Sequence, residues 1–553
     1  MKKNSSVYPW SKYYSQKPSF QLKSKEIPIY QWLDEAATQN PEKKSIIFND
    51  FELDFDNFQN LSVYFAFGCQ KNDLKKGDRV VLMLPTCLEF ALAFFGLLRL
   101  GVIPVPLNPQ LTAEELVYYL EDLEPKMILT LSTFREKTEK AIEISSSMAK
   151  LIIVNNLGSF LTYDNKKIAD QKIKDKKYQY FEELLHTQKG KINVDIHPKQ
   201  DIAAILYTGG TTGEPKGVML SHYNITSYLE AQTAHFGMLL GNKNALLVLP
   251  PYHIFGLCMI ISAVFRKATL VLMNKFHPEN VYHVIQEKKI EAFFGVPAMY
   301  AELVRYCKGN QEKDQFEYLS FCLSGASPIS NRLWNQLKEI APNAALVEGY
   351  GLTEASGGPL MDPVSENYHK KNASVGIPVF NTEAKIIDPF SGKEVPPGKQ
   401  GEIITRGANV FQGYWRKPGM TDQVLKEGWL YTKDIGIMDE DGIFFIEGRM
   451  DDMIDIRGEK VWPREIEKVL ENHQKIKEVA VVGIKEDEND EEIIKAYVVL
   501  KVGQEATEEE LINFCKDKLI YFKIPKIFSF CQQLPRSHMG KILHYKLREK
   551  KDK

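Results

Sequence analysis

Tyr207-Thr208-Gly209-Gly210-Thr211-Thr212-Gly213-Glu214-Pro215-Lys216-Gly217-Val218 stands directly after an apolar run, Ile202 to Tyr207, that reads as a strand. The glycines at 209, 210 and 213 free the backbone to bend and to bring N–H groups near an anion. Thr208, Thr211 and Thr212 add hydroxyl donors, and Lys216 adds a positive charge. Amides, hydroxyls and one cation after a strand compose a cradle for phosphate oxygens. The spacing is not that of G-x-x-x-x-G-K-[ST], because the lysine follows Gly213 by three residues and precedes Gly217. A surface hairpin without a ligand is the alternative reading of this stretch.

Around this loop, strands alternate with helices. Gly77 to Pro85 reads as a turn, a buried strand and a stop, followed by a helical run from Leu88 to Leu100. Val102–Pro106 is a short extended piece, residues 113–122 have helical period, and Met127–Leu129 and Leu151–Val154 are apolar runs of strand type. After residue 200 the pattern repeats: Ile202–Tyr207, Ala245–Leu249, Thr269–Met273, Ala292–Gly295 and Phe321–Ser324 are candidate strands. This texture predicts an α/β fold with parallel sheets covered on both faces. From about 375 the texture changes to short strands with Gly and Pro turns, such as Glu394-Val395-Pro396-Pro397-Gly398. After Gly448 comes an α+β piece, with helices near 463–472 and 507–519 and strands near 479–484 and 493–500. The expected organisation is a large N-terminal domain, 1–448, with two αβ-layered sheet subdomains and a small β-rich subdomain at about 375–448. A small α+β C-terminal domain, 449–553, follows it.

The 553 residues are too many for one ordinary core. With 44% hydrophobic and 26% charged residues, the chain has the make-up of a soluble globular protein. Its 70 Lys and Arg against 72 Asp and Glu give a net charge of −2, which offers no global field for nucleic acid or an anionic membrane. Cys69, Cys87, Cys258, Cys307, Cys322, Cys515 and Cys531 are scattered and include no C-x-x-C pair, so buried thiols in a reducing cytosol are expected rather than disulfides or zinc. No apolar region follows the basic start Met1-Lys2-Lys3, so no signal peptide is expected. Phe90 to Leu98, between Glu89 and Arg99, is far shorter than the roughly 20 residues of a membrane span and reads as a core helix. Residues 164–178, rich in Lys and Asp, read as a solvated surface segment.

Further strings follow in order. Leu249-Pro250-Pro251-Tyr252-His253-Ile254-Phe255-Gly256 is an aromatic–His loop. Ser324-Gly325-Ala326-Ser327-Pro328 ends a strand, and Ser330 suits the cap of a helix beginning near Asn331. Glu348-Gly349-Tyr350-Gly351-Leu352-Thr353-Glu354 places a carboxylate where Mg²⁺ could share it with phosphate oxygens, although a solvated helix-start acid would look the same. Then come Gly401-Glu402-Ile403, Gly413-Tyr414-Trp415, Gly428-Trp429-Leu430-Tyr431-Thr432-Lys433-Asp434 and Gly448-Arg449-Met450-Asp451-Asp452. Gly458-Glu459-Lys460-Val461-Trp462-Pro463-Arg464-Glu465-Ile466-Glu467 and Leu534-Pro535-Arg536-Ser537-His538-Met539-Gly540-Lys541-Ile542 complete the set.

Together these strings resemble the adenylate-forming superfamily of acyl-CoA synthetases, amino-acid-adenylating domains and firefly-type luciferases, and most of all bacterial long-chain fatty-acid–CoA ligases. The resemblance runs from about residue 30 to 548. It implies that Thr208, Gly210, Thr211, Thr212, Gly213 and Lys216 hold ATP phosphates, and that Gly325, Ala326, Ser327, Gly349, Tyr350 and Gly351 surround the adenine and the acid. It gives Thr353 a phosphate contact, Glu354 the Mg²⁺, Asp434 the ribose hydroxyls and Arg449 ribose or phosphate. It makes Asp451 the hinge of a mobile C-terminal domain, sets the loop at Gly458 along a pantetheine tunnel and places His253 at the mouth of the acid pocket. Lys541 becomes the catalytic lysine. Two residues depart from the family: Gly209 stands where Ser is usual, and Lys433 where Gly is usual.

The implied chemistry is attack of a carboxylate on the α-phosphate of ATP, two anions that Lys541 would bridge, followed by thiol attack after the small domain rotates. The expected partners are a fatty acid or other hydrophobic carboxylic acid and coenzyme A. Gly351, in place of a bulky residue, is expected to open the acid pocket, with Tyr252, Phe255, Phe294 and Val296 as apolar lining. An acyl carrier protein as acceptor, an aryl acid as substrate, luciferase-type oxidation and a degenerate acyl-nucleotide-binding protein stay open. The expected location is cytoplasmic, with at most peripheral contact at the inner membrane surface.

Overall fold

The computed structural model describes residues 8–14, 22–155, 157–158, 178–186, 191–209, 214–237, 241–309, 316–365, 367–456, 459–485, 492–536 and 542–548. Most of the acidic and basic stretch 164–178 lies outside these residues.

Five parallel strands form one sheet in the order Ile103–Pro106, Arg79–Met83, Met127–Leu131, Lys150–Val154, Gln179–Tyr180. Their apolar residues face covering elements on both sides, as continuous hydrophobic strands require. The helix Leu88–Arg99 behind this sheet is buried along its whole length. It shares one core with the helix Ile254–Phe265, which belongs to the second sheet, so the two αβ layers are cemented by helices with little polar surface. Among the described residues no helix is long and apolar enough to cross a membrane. The helix Ala113–Leu123 starts at a capping box in which Thr112 and Glu115 satisfy each other's backbone N–H groups.

The second sheet has a parallel run through Lys44–Phe48, Leu270–Leu272, Ala245–Leu247, Ala292–Gly295, Phe321–Ser324 and Ala345–Leu352. It continues, antiparallel, through Gly357–Met361, Ser374–Pro378, Phe444–Arg449, Trp429–Met438, Gln400–Gly407 and Thr382–Ile387; with Phe51–Asp54 beside Lys44–Phe48 and Leu425–Lys426 beside Trp429–Met438 this makes one 14-stranded sheet. The β-rich stretch is thus joined edge to edge with the α/β sheet.

One expected strand goes elsewhere. Ile202–Gly209 takes no place in the parallel run but pairs antiparallel with Pro215–Ser221, with Gly413–Tyr414 as the third strand. The tip between the first two is short, and a short tip joins antiparallel neighbours, whereas a parallel partner needs a long crossover.

After Arg449 the chain builds a hairpin, Ile454–Ile456 with Glu459–Val461, and a three-stranded sheet, Ile476–Lys485, Glu492–Leu500 and Ile527–Phe530. Helices Pro463–Leu470 and Glu508–Lys516 pack with it around a separate core that includes Ile466, Leu470, Val481, Ile494 and Leu511.

Candidate active site

The hairpin aligns Thr208 with Lys216 across its two strands. Gly210, Thr211, Thr212 and Gly213 lie outside the described residues. Gly217 has room for no side chain, since a Cβ there would sit 2.9 Å from Ile205 and 3.2 Å from Trp415. The Trp415 N–H donates to the Gly217 carbonyl at 2.7 Å, which presses Tyr414 against the strand. The Lys216 ammonium lies 5.5 Å from the Tyr414 ring centre, and the Tyr414 hydroxyl donates to Glu354 Oε1 at 2.8 Å. The Glu354 carbonyl accepts the Phe411 N–H at 2.9 Å. Burial, and then the charge of Glu354, hold the Tyr414 hydroxyl protonated far above its ordinary range. Thus Tyr414 ties the carboxylate of Glu354 to the strand that carries Lys216.

Thr353 and Glu354 form a tight turn, Thr353–Ala355, directly after the strand Ala345–Leu352. The turn is held from behind: Asn409 donates to the Ala355 carbonyl at 3.2 Å, and the Ser356 hydroxyl donates to the Asn409 carbonyl at 2.7 Å. Gly325 and Gly349 sit together, since a Cβ at Gly325 would lie 3.3 Å from the Phe255 ring and 3.6 Å from the Gly349 carbonyl. Ala326 adopts φ +70°, and Ser327 is half-buried beside it. Ser330 caps the helix Asn331–Ile340 through the Leu333 N–H at 3.3 Å, as the sequence predicts. His253 is the residue before the helix Ile254–Phe265, its ring 4.8 Å from that of Tyr252.

Gly351 faces backbone of the neighbouring strand. A Cβ at this position would meet the Gly357 carbonyl oxygen at 2.6 Å, in the antiparallel strand Gly357–Met361. The absent side chain makes room for backbone, at a register shift between Tyr350 and Leu352.

At the other end of the site the Tyr350 hydroxyl donates to Asp434 Oδ2, and Arg449 Nε lies 3.3 Å from Asp434 Oδ1. Asp434 and Arg449 face each other in the register of their two strands. Burial, then the nearby Asp434 carboxylate, drive the Tyr350 hydroxyl well above its ordinary pKa. Lys433 adopts φ +61°, the left-handed conformation natural to the glycine usual here. Its N–H donates to Glu402 Oε1 at 2.9 Å and its ammonium to Asp451 at 3.0 Å. The site therefore has two described poles, Lys216–Tyr414–Glu354 and Tyr350–Asp434–Arg449, joined by the continuous run from Tyr350 to Glu354.

Lys541 and Gly458 lie outside the described residues. Sequence reading missed Lys370, whose ammonium holds Glu348 at 2.9 Å and Asp362 at 2.8 Å. A lysine in a loop carries no local sign of such pairing. It also missed Tyr228, whose ring lies 2.5 Å from where a Cβ on Gly357 would be and so shapes the same wall.

The chain matches the family described as AMP-binding enzyme over residues 33–415 and the AMP-binding enzyme C-terminal domain over 465–541. It is 33% identical to a long-chain-fatty-acid–CoA ligase of Bacillus subtilis, over 98% of both chains. It is 31% identical to 4-coumarate-CoA ligase 1 of Narcissus pseudonarcissus, over 94% of this chain and 93% of the other. Among solved structures, the ATP-bound RpMatB–BxBclM chimera B1 superposes with a TM-score of 0.83 at 26% identity, covering 95% of this chain and 99% of that one. O-succinylbenzoate coenzyme A synthetase from Bacillus subtilis, in complex with ATP and magnesium, superposes with a TM-score of 0.78 at 27% identity, covering 95% and 99%. The chain belongs to the AMP-binding enzyme family, the adenylate-forming superfamily of acid-activating ligases.

Proposed function

We propose that the enzyme activates a medium- or long-chain fatty acid with ATP and transfers the acyl group to coenzyme A, releasing AMP and pyrophosphate. The observation that carries this reading is the pairing of the two poles: a cation-and-hydroxyl hairpin tied to Glu354, and a Tyr–Asp–Arg group joined to it through residues 350–354. Supporting the choice of acid is the relative over 98% of both chains, a long-chain-fatty-acid–CoA ligase.

The nucleotide lies with its phosphates along Thr208, the hairpin tip and Lys216, its adenine against Gly325, Ala326, Ser327, Gly349 and Tyr350, and its ribose on Asp434 with Arg449. Glu354 suits Mg²⁺, which takes one or two carboxylates and completes its shell with phosphate oxygens and water. When bound, that ion neutralises phosphate charge. The chain's own residues do the rest. Lys541 carries a positive charge to the point where carboxylate and α-phosphate meet, and Thr353 donates to phosphate. Charge neutralisation and placement are the main sources of rate for such an attack. The acyl-adenylate then meets the coenzyme A thiol after residues 449–553 turn about Asp451 relative to 1–448, bringing the Gly458 loop to the pantetheine. Tyr252, Phe255 and His253 flank the acid's entry.

An aryl acid is the second reading, favoured by the likeness to 4-coumarate-CoA ligase 1. Pyrophosphate release across a panel of fatty and aryl acids, with and without coenzyme A, tests both. Fatty acids should give the highest kcat/KM, and Lys541→Ala should abolish the signal. A panel in which aryl acids win, or in which product accumulates only with a carrier protein, overturns the proposal.

A further inference from the structure

The described residues on either side of Lys541 pair with each other. Arg536 and Ile542 form an antiparallel bridge, and the Leu543 N–H donates to the Pro535 carbonyl at 2.9 Å. The chain then enters the short helix His544–Arg548. Leu547 is buried among Ala480, Val482, Tyr497 and Leu534, and its carbonyl accepts the Tyr497 hydroxyl at 3.0 Å. Arg548 reaches Asp452 at 2.7 Å, and His544 Nε2 lies 3.2 Å from Glu467 Oε1.

Glu467 is unusual among these anchors because it is 5% exposed. The same Oε1 accepts the Val481 N–H at 3.0 Å, and Arg464 stands 3.4 Å from Oε2. A carboxylate so enclosed depends on each of its partners. Arg536 pairs with Glu478 at 2.9 Å on the surface. Ile542 packs on the cluster that holds Leu547, and the first charged side chain after Lys541 that ends on a buried partner is His544. Burial works against its charge, but Glu467 and then Asp452 outweigh that and raise its pKa above the ordinary value.

We propose that His544 is a positioning residue for adenylation, holding through Glu467 the backbone at residues 542–544 that directly follows Lys541. The inference rests on the assignment of Lys541 to the first step. It gives a role to Glu467, the last residue of the string that begins at Gly458.

The two half-reactions separate this role from a merely structural one, because the lysine serves only the first. In the full-length enzyme, dodecanoate-dependent pyrophosphate release reports adenylation, and dodecanoyl-adenylate supplied with coenzyme A reports thioester formation. For His544→Ala the first step should fall on the order of 10- to 100-fold in kcat, with the ATP KM within about twofold and the second step unchanged. His544→Gln, which can still donate to Glu467, should recover part of the loss. Equal loss of both steps, an unchanged first step where Lys541→Ala slows it, or failure of both histidine variants to fold would each overturn the proposal. If Lys541→Ala leaves adenylation intact, the lysine assignment itself fails and takes this inference with it.

Discussion

Lys370 sets its ammonium between two carboxylates that are nearly sealed from water, Glu348 at 3% and Asp362 at 2% exposure. Burial pushes both carboxyls above their ordinary pKa, and Lys370 pulls in the opposite direction. Removing the amine leaves two buried acids facing each other, a loss of about 3–5 kcal/mol. Lys370→Met should shift the urea midpoint accordingly, and because Glu348 opens the string that runs to Glu354, it should raise the ATP KM as well. An unchanged midpoint contradicts this. Glu89 gives a pH dependence. Its carboxyl is pushed up to about 7 by burial, although the Gly158 N–H donates to it at 2.5 Å. Between the unfolded value near 4.5 and about 7 the folded chain keeps a proton that the unfolded chain has released. Stability from this group is complete below about pH 4.5 and is lost as pH rises toward 7, by at most about 1.4 kcal/mol per pH unit. Glu89→Gln should remove that part of the slope in denaturation measured from pH 5 to 8, and an unaltered slope would sink the assignment.

At the scale of the element, Gly351 is a place where backbone packs on backbone. A methyl group there would sit 2.6 Å from the Gly357 oxygen and 3.0 Å from its carbon, so the strands Ala345–Leu352 and Gly357–Met361 would have to part. Gly351→Ala should cost about 1–3 kcal/mol without changing the preferred acid length. A stable variant that turns to short acids would restore the view of Gly351 as an open wall. Elements were legible where local pattern decides them. Ala292–Gly295 and Phe321–Ser324 lie where apolar runs predict them, and Ser330 caps its helix because a hydroxyl before a helix satisfies an orphan N–H. Pairing was not legible. Ile202–Tyr207 has the same apolar texture as the parallel strands, and only its short link to Pro215–Ser221 places it in a separate antiparallel sheet. Likewise Tyr350 and Asp434 meet across 84 residues; the resemblance set both beside the nucleotide, but no sequence pattern foretold their contact.

For the whole molecule the decisive place is the short turn Met450–Asp452, because ion pairs reach it and the strand before it from both sides. Lys433 holds Asp451 at 3.0 Å, while from the C-terminal side Lys468 grips Glu447 at 2.8 Å and Arg548 grips Asp452 at 2.7 Å. If residues 449–553 turn about Asp451 between the two steps, the Lys433 pair must break or re-form in each cycle. Asp451→Pro fixes φ at the turning point and restricts Met450. It should leave adenylation within about threefold and reduce thioester formation on the order of 100-fold. Lys433→Gly is the subtler probe. It relieves the left-handed strain and removes a half-exposed ion pair, which is worth about 1 kcal/mol or less and so no more than about fivefold in a rate. That change should alter the ratio of the two half-reactions and should shrink as salt is raised in the wild type, since salt screens the same pair. Equal effects on both steps, or none at low ionic strength, would mean that the turn does not move during catalysis.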